Sequence, residues 1–235
     1  MKKVIYQMLI AVIAVVVTGS CSSAKDTEGD KFVRVVDGHF VRNGSPYYYV
    51  GTNFWYGAIL GSEGRGGNRT RLCQELDDMK AMGIDNLRIL VGSDGEEGVL
   101  TKVEPTLQKA PGVYNDTILA GLDYLLMEMG KRDMVAVLYL NNSWEWSGGY
   151  GFYLEHAGEG KAPRPNEDGY PAFMDFMRKY ATSEKAHQLF YDYVRFILGR
   201  TNQYTGVKYT DDPTIMSWQI GNEPRAFGKE ELKPF

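Results

Sequence analysis

Four runs rich in apolar residues, separated by segments of helical periodicity, constrain the fold of this 235-residue chain more than any other feature. The third run, residues 134–140, is apolar at every position, which is typical of a strand buried on both faces of a parallel sheet. The predicted strands cover 47–55, 86–91, 134–140 and 215–221, and the predicted helices cover 69–82, 117–132 and 183–200. This alternation predicts an α/β fold with parallel strands.

Polar and aromatic residues collect at or just after the carboxyl ends of these strands. They are Asn53, Trp55, Asn142, Trp144, Asn222 and Glu223. Chemistry collects there in a (β/α)₈ barrel of the TIM type, whereas a doubly wound nucleotide fold needs a glycine-rich phosphate turn, which Gly51-Thr52-Asn53 does not provide. We therefore predict about the first four strands of such a barrel, preceded by a β-hairpin over 32–42 that turns at Asp37-Gly38.

Composition excludes several classes of function. Lys+Arg 26 against Asp+Glu 30 gives a net charge of -4, so no nucleic-acid partner is expected. Two cysteines exclude a disulfide framework, and Cys73 is predicted to be a buried structural thiol. The three histidines show no metal-binding spacing, and no nucleophile elbow, phosphate loop or zinc helix is present. Acid–base chemistry by carboxylates is what remains.

The N-terminus has the pattern of an export signal: Lys2 and Lys3, an apolar stretch over 4–17, and small residues before Cys21. The placement of Cys21 resembles the bacterial lipoprotein box, in which that cysteine is lipidated; the alternative is a simple secretory signal with an incidental cysteine. We predict a lipoprotein signal peptide over 1–20 and a flexible tether over 21–31. The protein is then exported and anchored to a membrane through Cys21, at the cell surface or in the periplasm, or is otherwise secreted.

Glu223 ends a buried strand, next to Asn222, and is predicted to be a partly buried general acid. The alternative is a surface glutamate that begins a loop. Arg88 either orients a catalytic carboxylate or forms a structural ion pair. Several aromatic residues follow strand ends and favour a carbohydrate cleft over a place in the core: Trp55, Tyr56, Trp144, Trp146 and Tyr150. Residues 141–171 are predicted to form a long functional loop.

With these residues in view, the chain resembles glycoside hydrolase family 5, and within it the endo-β-1,4-mannanases, from residue 32 onward. The resemblance lies in GTNFWY at 51–56, Arg88, LNNSWEWSGG at 140–149 and WQIGNEPR at 218–225. It implies that Glu223 is the acid/base and that Asn222 binds the sugar 2-hydroxyl. Arg88 would support the nucleophile, and the implied sugar contacts are Asn53, Trp55, Tyr56, Asn142, Trp144 and Arg225. The implied substrate is β-mannan or a related plant polysaccharide, hydrolysed with retention and without a metal or other cofactor.

The resemblance also implies a nucleophile at the end of the seventh strand, and the sequence has no residue in that position. We therefore expect residues 32–235 to be the N-terminal part of a truncated catalytic barrel without hydrolase activity, because Glu145 and Glu96-Glu97 are poor substitutes. Two alternatives stay open. One is an endo-β-1,4-glucanase of the same family, and the other is a non-catalytic lipoprotein that binds polysaccharide at the cell surface.

Overall fold

The computed structural model describes residues 31–224. The predicted signal peptide, Cys21 with almost all of the tether, and Arg225 lie outside the described residues. The strands are β1 (Arg34–Val36), β2 (His39–Arg42), β3 (Ser45–Pro46), β4 (Val50–Asn53), β5 (Ile84–Leu90), β6 (Gln108–Ala110), β7 (Val113–Tyr114), β8 (Val135–Tyr139) and β9 (Ile215–Gln219). The α-helices are α1 (Gly57–Gly61), α2 (Arg69–Ala81), α3 (Asp116–Lys131), α4 (Gly149–Ala157), α5 (Pro165–Asp168), α6 (Tyr170–Arg178) and α7 (Glu184–Leu198).

The N-terminal segment forms a small antiparallel sheet in the order β1-β2-β3. Asp37 and Gly38 have φ angles of 50° and 79°, as a tight hairpin turn requires, so the predicted hairpin is confirmed. A second turn at Asn43-Gly44 adds β3. This sheet precedes the main sheet and contributes none of its strands.

The main sheet has four parallel strands in the order β4-β5-β8-β9, which is also their order along the chain. Each strand therefore pairs with the strand that follows it in this series, and α2 and α3 lie in the first two crossovers. The first strand is shorter than predicted, because β4 covers only Val50–Asn53 of residues 47–55. Parallel pairing brings all four carboxyl ends to one edge of the sheet.

Close packing of α1 against α3 depends on two glycines. A Cβ on Gly61 would lie 2.4 Å from the carbonyl oxygen of Gly121, and a Cβ on Gly121 would lie 2.1 Å from that of Ala58. Neither contact is possible for a real Cβ, so larger residues would force the helices apart. Buried side chains of α3, including Leu122 and Leu126, join the strands in one hydrophobic core.

The prediction of a loop over 141–171 is wrong, because this segment contains α4, α5 and the start of α6. Gly148 and Gly149, with φ angles of 87° and 59°, turn the chain into α4, whose Phe152 and Tyr153 are buried. Tertiary burial thus stabilises a helix that a glycine-rich and aromatic sequence does not suggest. Cys73 is half-buried rather than buried, with Sγ 3.8 Å from the hydroxyl of Tyr124.

Within residues 31–224, no helix is both long and apolar enough to cross a membrane.

Candidate active site

The site lies where the chain leaves β8 and β9. Asn142 and Asn222 form an isolated parallel bridge just beyond these strands. The backbone amide of Asn222 donates to the backbone carbonyl of Asn141 (2.8 Å), and the backbone amide of Ser143 donates to the backbone carbonyl of Asn222 (3.1 Å). These bonds extend the pairing past the strand ends, so Trp144 and Glu223 are brought together on a fixed backbone.

The carboxylate of Glu223 accepts a hydrogen bond from the indole Nε1 of Trp144 at 2.6 Å. Glu223 also has a φ angle of +48°, which is uncommon for a residue other than glycine and directs its side chain away from the path of an extended strand. The residue is exposed, not partly buried as the sequence suggested. Its place after β9 and its bond to Trp144 fix an accessible carboxylate at this edge of the sheet, which is what general acid catalysis requires.

The side-chain amide of Asn222 is held by hydrogen bonds at both its oxygen and its nitrogen. Its Oδ1 accepts from Nη2 of Arg88 at 3.0 Å, and its Nδ2 donates to Oδ1 of Asn142 at 3.1 Å. One N–H of Nδ2 is left for a ligand. Asn142 is fully buried, so its contact is with Asn222 and not with the exposed edge where a sugar would lie.

Arg88 is the hub of this edge of the sheet. Its guanidinium donates from Nε to Gln219 (2.8 Å) and from Nη1 to Asn53 (3.4 Å), in addition to its bond to Asn222. The guanidinium carbon also lies 4.2 Å from the ring centroid of Tyr139, a cation–π distance. Arg88 therefore connects β4, β5 and β9 by side-chain hydrogen bonds.

Trp144 belongs to a cluster of aromatic rings. Its ring stacks with Phe173 at 6.1 Å and 13°, and Tyr170 stands edge-on to it at 6.3 Å. Phe173 is buried, whereas Tyr170 is 56% exposed. Sequence reasoning missed both residues; the closely spaced aromatics after Gly169 were the available signal.

The other predicted aromatic residues divide between surface and packing. Trp55 is 42% exposed and edge-on to Tyr56 at 5.4 Å. The Tyr56 hydroxyl donates to Glu75 of α2 at 2.9 Å, and burial, together with that carboxylate, raises the pKa of Tyr56. Tyr150 stacks on Tyr180 at 4.0 Å, so it packs α4 against the turn at 179–182.

A separate cavity of about 480 Å³ lies between the segment 94–109, which follows β5, and residues 145–167. Asp94, which is buried, lines it and accepts from Nε2 of Gln108 at 3.1 Å. Burial raises the pKa of Asp94 to about 7, and burial lowers the pKa of Lys102, which also lines the cavity. Among residues 31–224, no group of three or more His, Cys, Asp or Glu side chains is arranged to hold a metal ion.

Comparison with known proteins shows which family the chain belongs to. Residues 30–234 match the family model described as GH family 5 beta-mannosidase-like. The chain belongs to glycoside hydrolase family 5. A curated relative, mannan endo-1,4-beta-mannosidase 1 of Oryza sativa subsp. japonica, is 30% identical over 218 residues, which cover 93% of this chain and 46% of the relative. The chain therefore spans about half the length of the curated relatives it matches.

Solved structures agree. The glycoside hydrolase family 5 mannosidase of Rhizomucor miehei is similar with a TM-score of 0.79 and 37% identity, over 83% of this chain and 49% of that one. The endo-1,4-beta-mannanase of the same organism gives a TM-score of 0.63 and 27% identity, over 85% and 50%. The predicted fold is confirmed: the parallel sheet is part of a (β/α)₈-type barrel.

Proposed function

We propose that the protein to which this chain belongs hydrolyses β-1,4-mannosidic bonds within mannans, with retention, and that Glu223 is its acid/base. The observation that carries this proposal is the Glu223 carboxylate, held at the end of β9 by the indole N–H of Trp144. The printed names of the relatives, which are mannan-degrading enzymes, support mannan over glucan as the substrate. The endo-β-1,4-glucanase alternative has no such support.

In this mechanism, protonated Glu223 donates its proton to the glycosidic oxygen as the bond to the departing sugar breaks. A second carboxylate, about 5–5.5 Å away, forms the glycosyl-enzyme intermediate. Glu223, now ionised, then removes a proton from the water that hydrolyses this intermediate. The free N–H of Asn222 donates to the 2-hydroxyl, and Arg88 and Asn142 fix the amide in the orientation that makes this possible.

The other residues predicted to contact the sugar stay predictions, and the structure supports some of them better than others. Asn53, Trp55 and Tyr170 are exposed near the same strand ends and can contact a polysaccharide. The buried Asn142 is better suited to positioning Asn222, and the Tyr56 hydroxyl is occupied by Glu75. Arg225 keeps its proposed role on the leaving-group side, outside the described residues.

We further propose that these 235 residues alone do not hydrolyse mannan. The carboxylates considered as substitute nucleophiles lie elsewhere. Glu145 and Glu96 line the separate cavity. Glu97 is ion-paired with Arg65 at 3.2 Å.

The test measures reducing ends released from mannan by the 235-residue chain and by a chimera that joins it to the second half of the Rhizomucor miehei mannosidase. The chain alone is expected to be inactive. The chimera is expected to be active and to lose about 10²–10⁴-fold in rate with Glu223→Gln, while the matched change Glu145→Gln has little effect. Equal loss from both substitutions would refute the assignment of Glu223. A chimera that binds mannan through Trp144 without releasing product would support the non-catalytic alternative instead.

A second candidate is a β-mannosidase that removes single mannose units from chain ends. Its support is the match to a model described as beta-mannosidase-like, and the higher TM-score and identity to the Rhizomucor miehei mannosidase than to the endo-mannanase. The time course of the active chimera distinguishes the two. An early fall in mannan viscosity indicates internal cleavage, whereas free mannose released at constant viscosity indicates attack at chain ends.

We also propose export and lipid anchoring at Cys21. Labelled palmitate supplied to expressing bacteria should be incorporated into the wild-type chain and not into Cys21→Ser. Labelling of Cys21→Ser would refute Cys21 as the lipidated residue, and an unlabelled wild type would support the simple secretory signal.

A further inference from the structure

The cavity beside α4 has the features of a binding site separate from the candidate active site. Its volume of about 480 Å³ lies within the range of small-molecule pockets. It is lined by the segment after β5, the turn at Glu145 and Gly148, α4, and residues 161–167. Arg88, Asn222 and Glu223 are not among its lining residues.

Lys102 supplies hydrogen-bond donors at this cavity. Its side chain is half-buried and interacts through charge with Asp94, Glu104 and Glu96, but no described residue accepts a hydrogen bond from its ammonium. A Cβ on Gly95 would lie 2.7 Å from this Nζ, so the glycine leaves the room that the ammonium occupies. This ammonium can therefore donate hydrogen bonds to a ligand in the cavity.

The walls of the cavity carry both signs of charge. The lining contains Lys161, Arg164 and His156 in addition to Lys102, together with the carboxylates of Asp94, Glu96, Glu145, Glu155 and Glu167, of which Glu167 is ion-paired with Arg164 at 3.1 Å. A strongly charged ligand would meet repulsion from one set or the other. Hydroxyl groups both donate and accept, so a neutral polyol can bond to ammonium and carboxylate groups together.

Apolar side chains complete the lining. Phe152, Val99, Leu100 and two prolines, Pro163 and Pro165, lie among the charged groups. This combination suits a ring with C–H faces and hydroxyl edges, and excludes a purely apolar ligand, which would leave the charges without partners.

We propose that this cavity is a second carbohydrate site, which binds one neutral hexose unit apart from Glu223. The choice of a sugar among neutral polyols rests on the proposed function, whereas the polarity and position of the site do not. The site would hold part of a polysaccharide, or a side group of it, while another part lies at the end of β9.

The test measures binding of methyl β-D-mannoside to the 235-residue chain by saturation-transfer NMR. Wild-type protein should bind saturably with a Kd near or below about 10 mM. Lys102→Met keeps the aliphatic length without the ammonium and should weaken binding about tenfold. Ala162→Phe should also weaken binding about tenfold, because the larger side chain fills the cavity. Lys185→Met, an exposed lysine of α7, should leave the Kd within about twofold.

Three results would overturn the proposal: no saturable binding to the wild type, loss of binding in Trp144→Ala but not in Lys102→Met, or tighter binding of a hexuronate than of the neutral sugar. The experiment does not measure hydrolysis. Failure of the Glu223 assay with intact Lys102-dependent binding would therefore refute the proposed function alone, and the reverse would refute the second site alone.

Discussion

Replacing Arg88 by methionine tests whether this residue holds the edge of the sheet together. The substitution removes two well-formed hydrogen bonds, to Gln219 at 2.8 Å and to Asn222 at 3.0 Å, and a longer one to Asn53. It also removes the cation–π contact with Tyr139.

The magnitude follows from these contacts. A hydrogen bond to a charged group contributes about 1.5–3 kcal/mol, and the lower end applies here because Gln219 and Asn222 are only half-buried and can be rehydrated. With a small cation–π contribution, we expect Arg88→Met to lower the free energy of unfolding by about 2–4 kcal/mol. At a urea dependence of about 2 kcal/mol per molar, the midpoint falls by about 1–2 M.

The assay is urea unfolding of the 235-residue chain, followed by tryptophan fluorescence. Arg71→Met is the matched control, because Arg71 is an exposed arginine of α2 with a single ion pair to Glu75; its midpoint should stay close to that of the wild type. A double-mutant cycle with Gln219→Leu should show non-additivity of about 1 kcal/mol or more. Equal shifts for both arginine variants, or full additivity in the cycle, would refute the role of Arg88 as a hub.

Three further changes test other parts of the fold by the same urea assay. Burial raises the pKa of Asp94 from 3.8 to about 7 in the folded protein, so its contribution to the free energy of unfolding, about 4 kcal/mol at most, is present below pH 4 and lost as the pH rises to 7. Asp94→Asn should remove this decrease in the free energy of unfolding between pH 4 and 7. An unchanged decrease would contradict the assignment. Asp123→Asn should cost about 3–5 kcal/mol, because Asp123 is fully buried and bonds to Arg200; a loss below about 1 kcal/mol would count against it. Gly148→Ala should destabilise far more than Gly112→Ala, since both have positive φ but only at Gly148 would the Cβ meet backbone, 2.3 Å from the carbonyl oxygen of Asp94; similar losses would point to backbone conformation alone.

Strand β8 could be predicted from the sequence because it is a run of apolar residues, most of which the fold buries. Residues 134–140 illustrate this, since the observed strand Val135–Tyr139 lies wholly within them. The pair Asn222-Glu223 was singled out for a similar reason, as polar residues directly after the predicted strand 215–221. The local sequence was sufficient to predict a strand where a run of apolar residues indicated its burial.

The partners of these residues could not be predicted. Arg88 and Asn222 are 134 positions apart in the chain, and their contact depends on the order of strands in the sheet. The helix Gly149–Ala157 was missed because two glycines and an alternation of aromatic residues suggest a loop until the burial of Phe152 and Tyr153 is known. Tyr170 was missed with it, since its exposure beside Trp144 is a property of the packed helices.

The match between strand order and chain order has a consequence for synthesis. A ribosome releases β4, β5, β8 and β9 in turn, and each new strand finds the edge of its predecessor already formed. Arg88 leaves the ribosome with β5, long before Gln219 and Asn222 follow with β9. Its guanidinium can contact Asn53 of β4 and Tyr139 of β8 first, and it gains its bonds to Gln219 and Asn222 only when the fourth strand docks, so the Glu223 carboxylate is set in place with the last of these four strands.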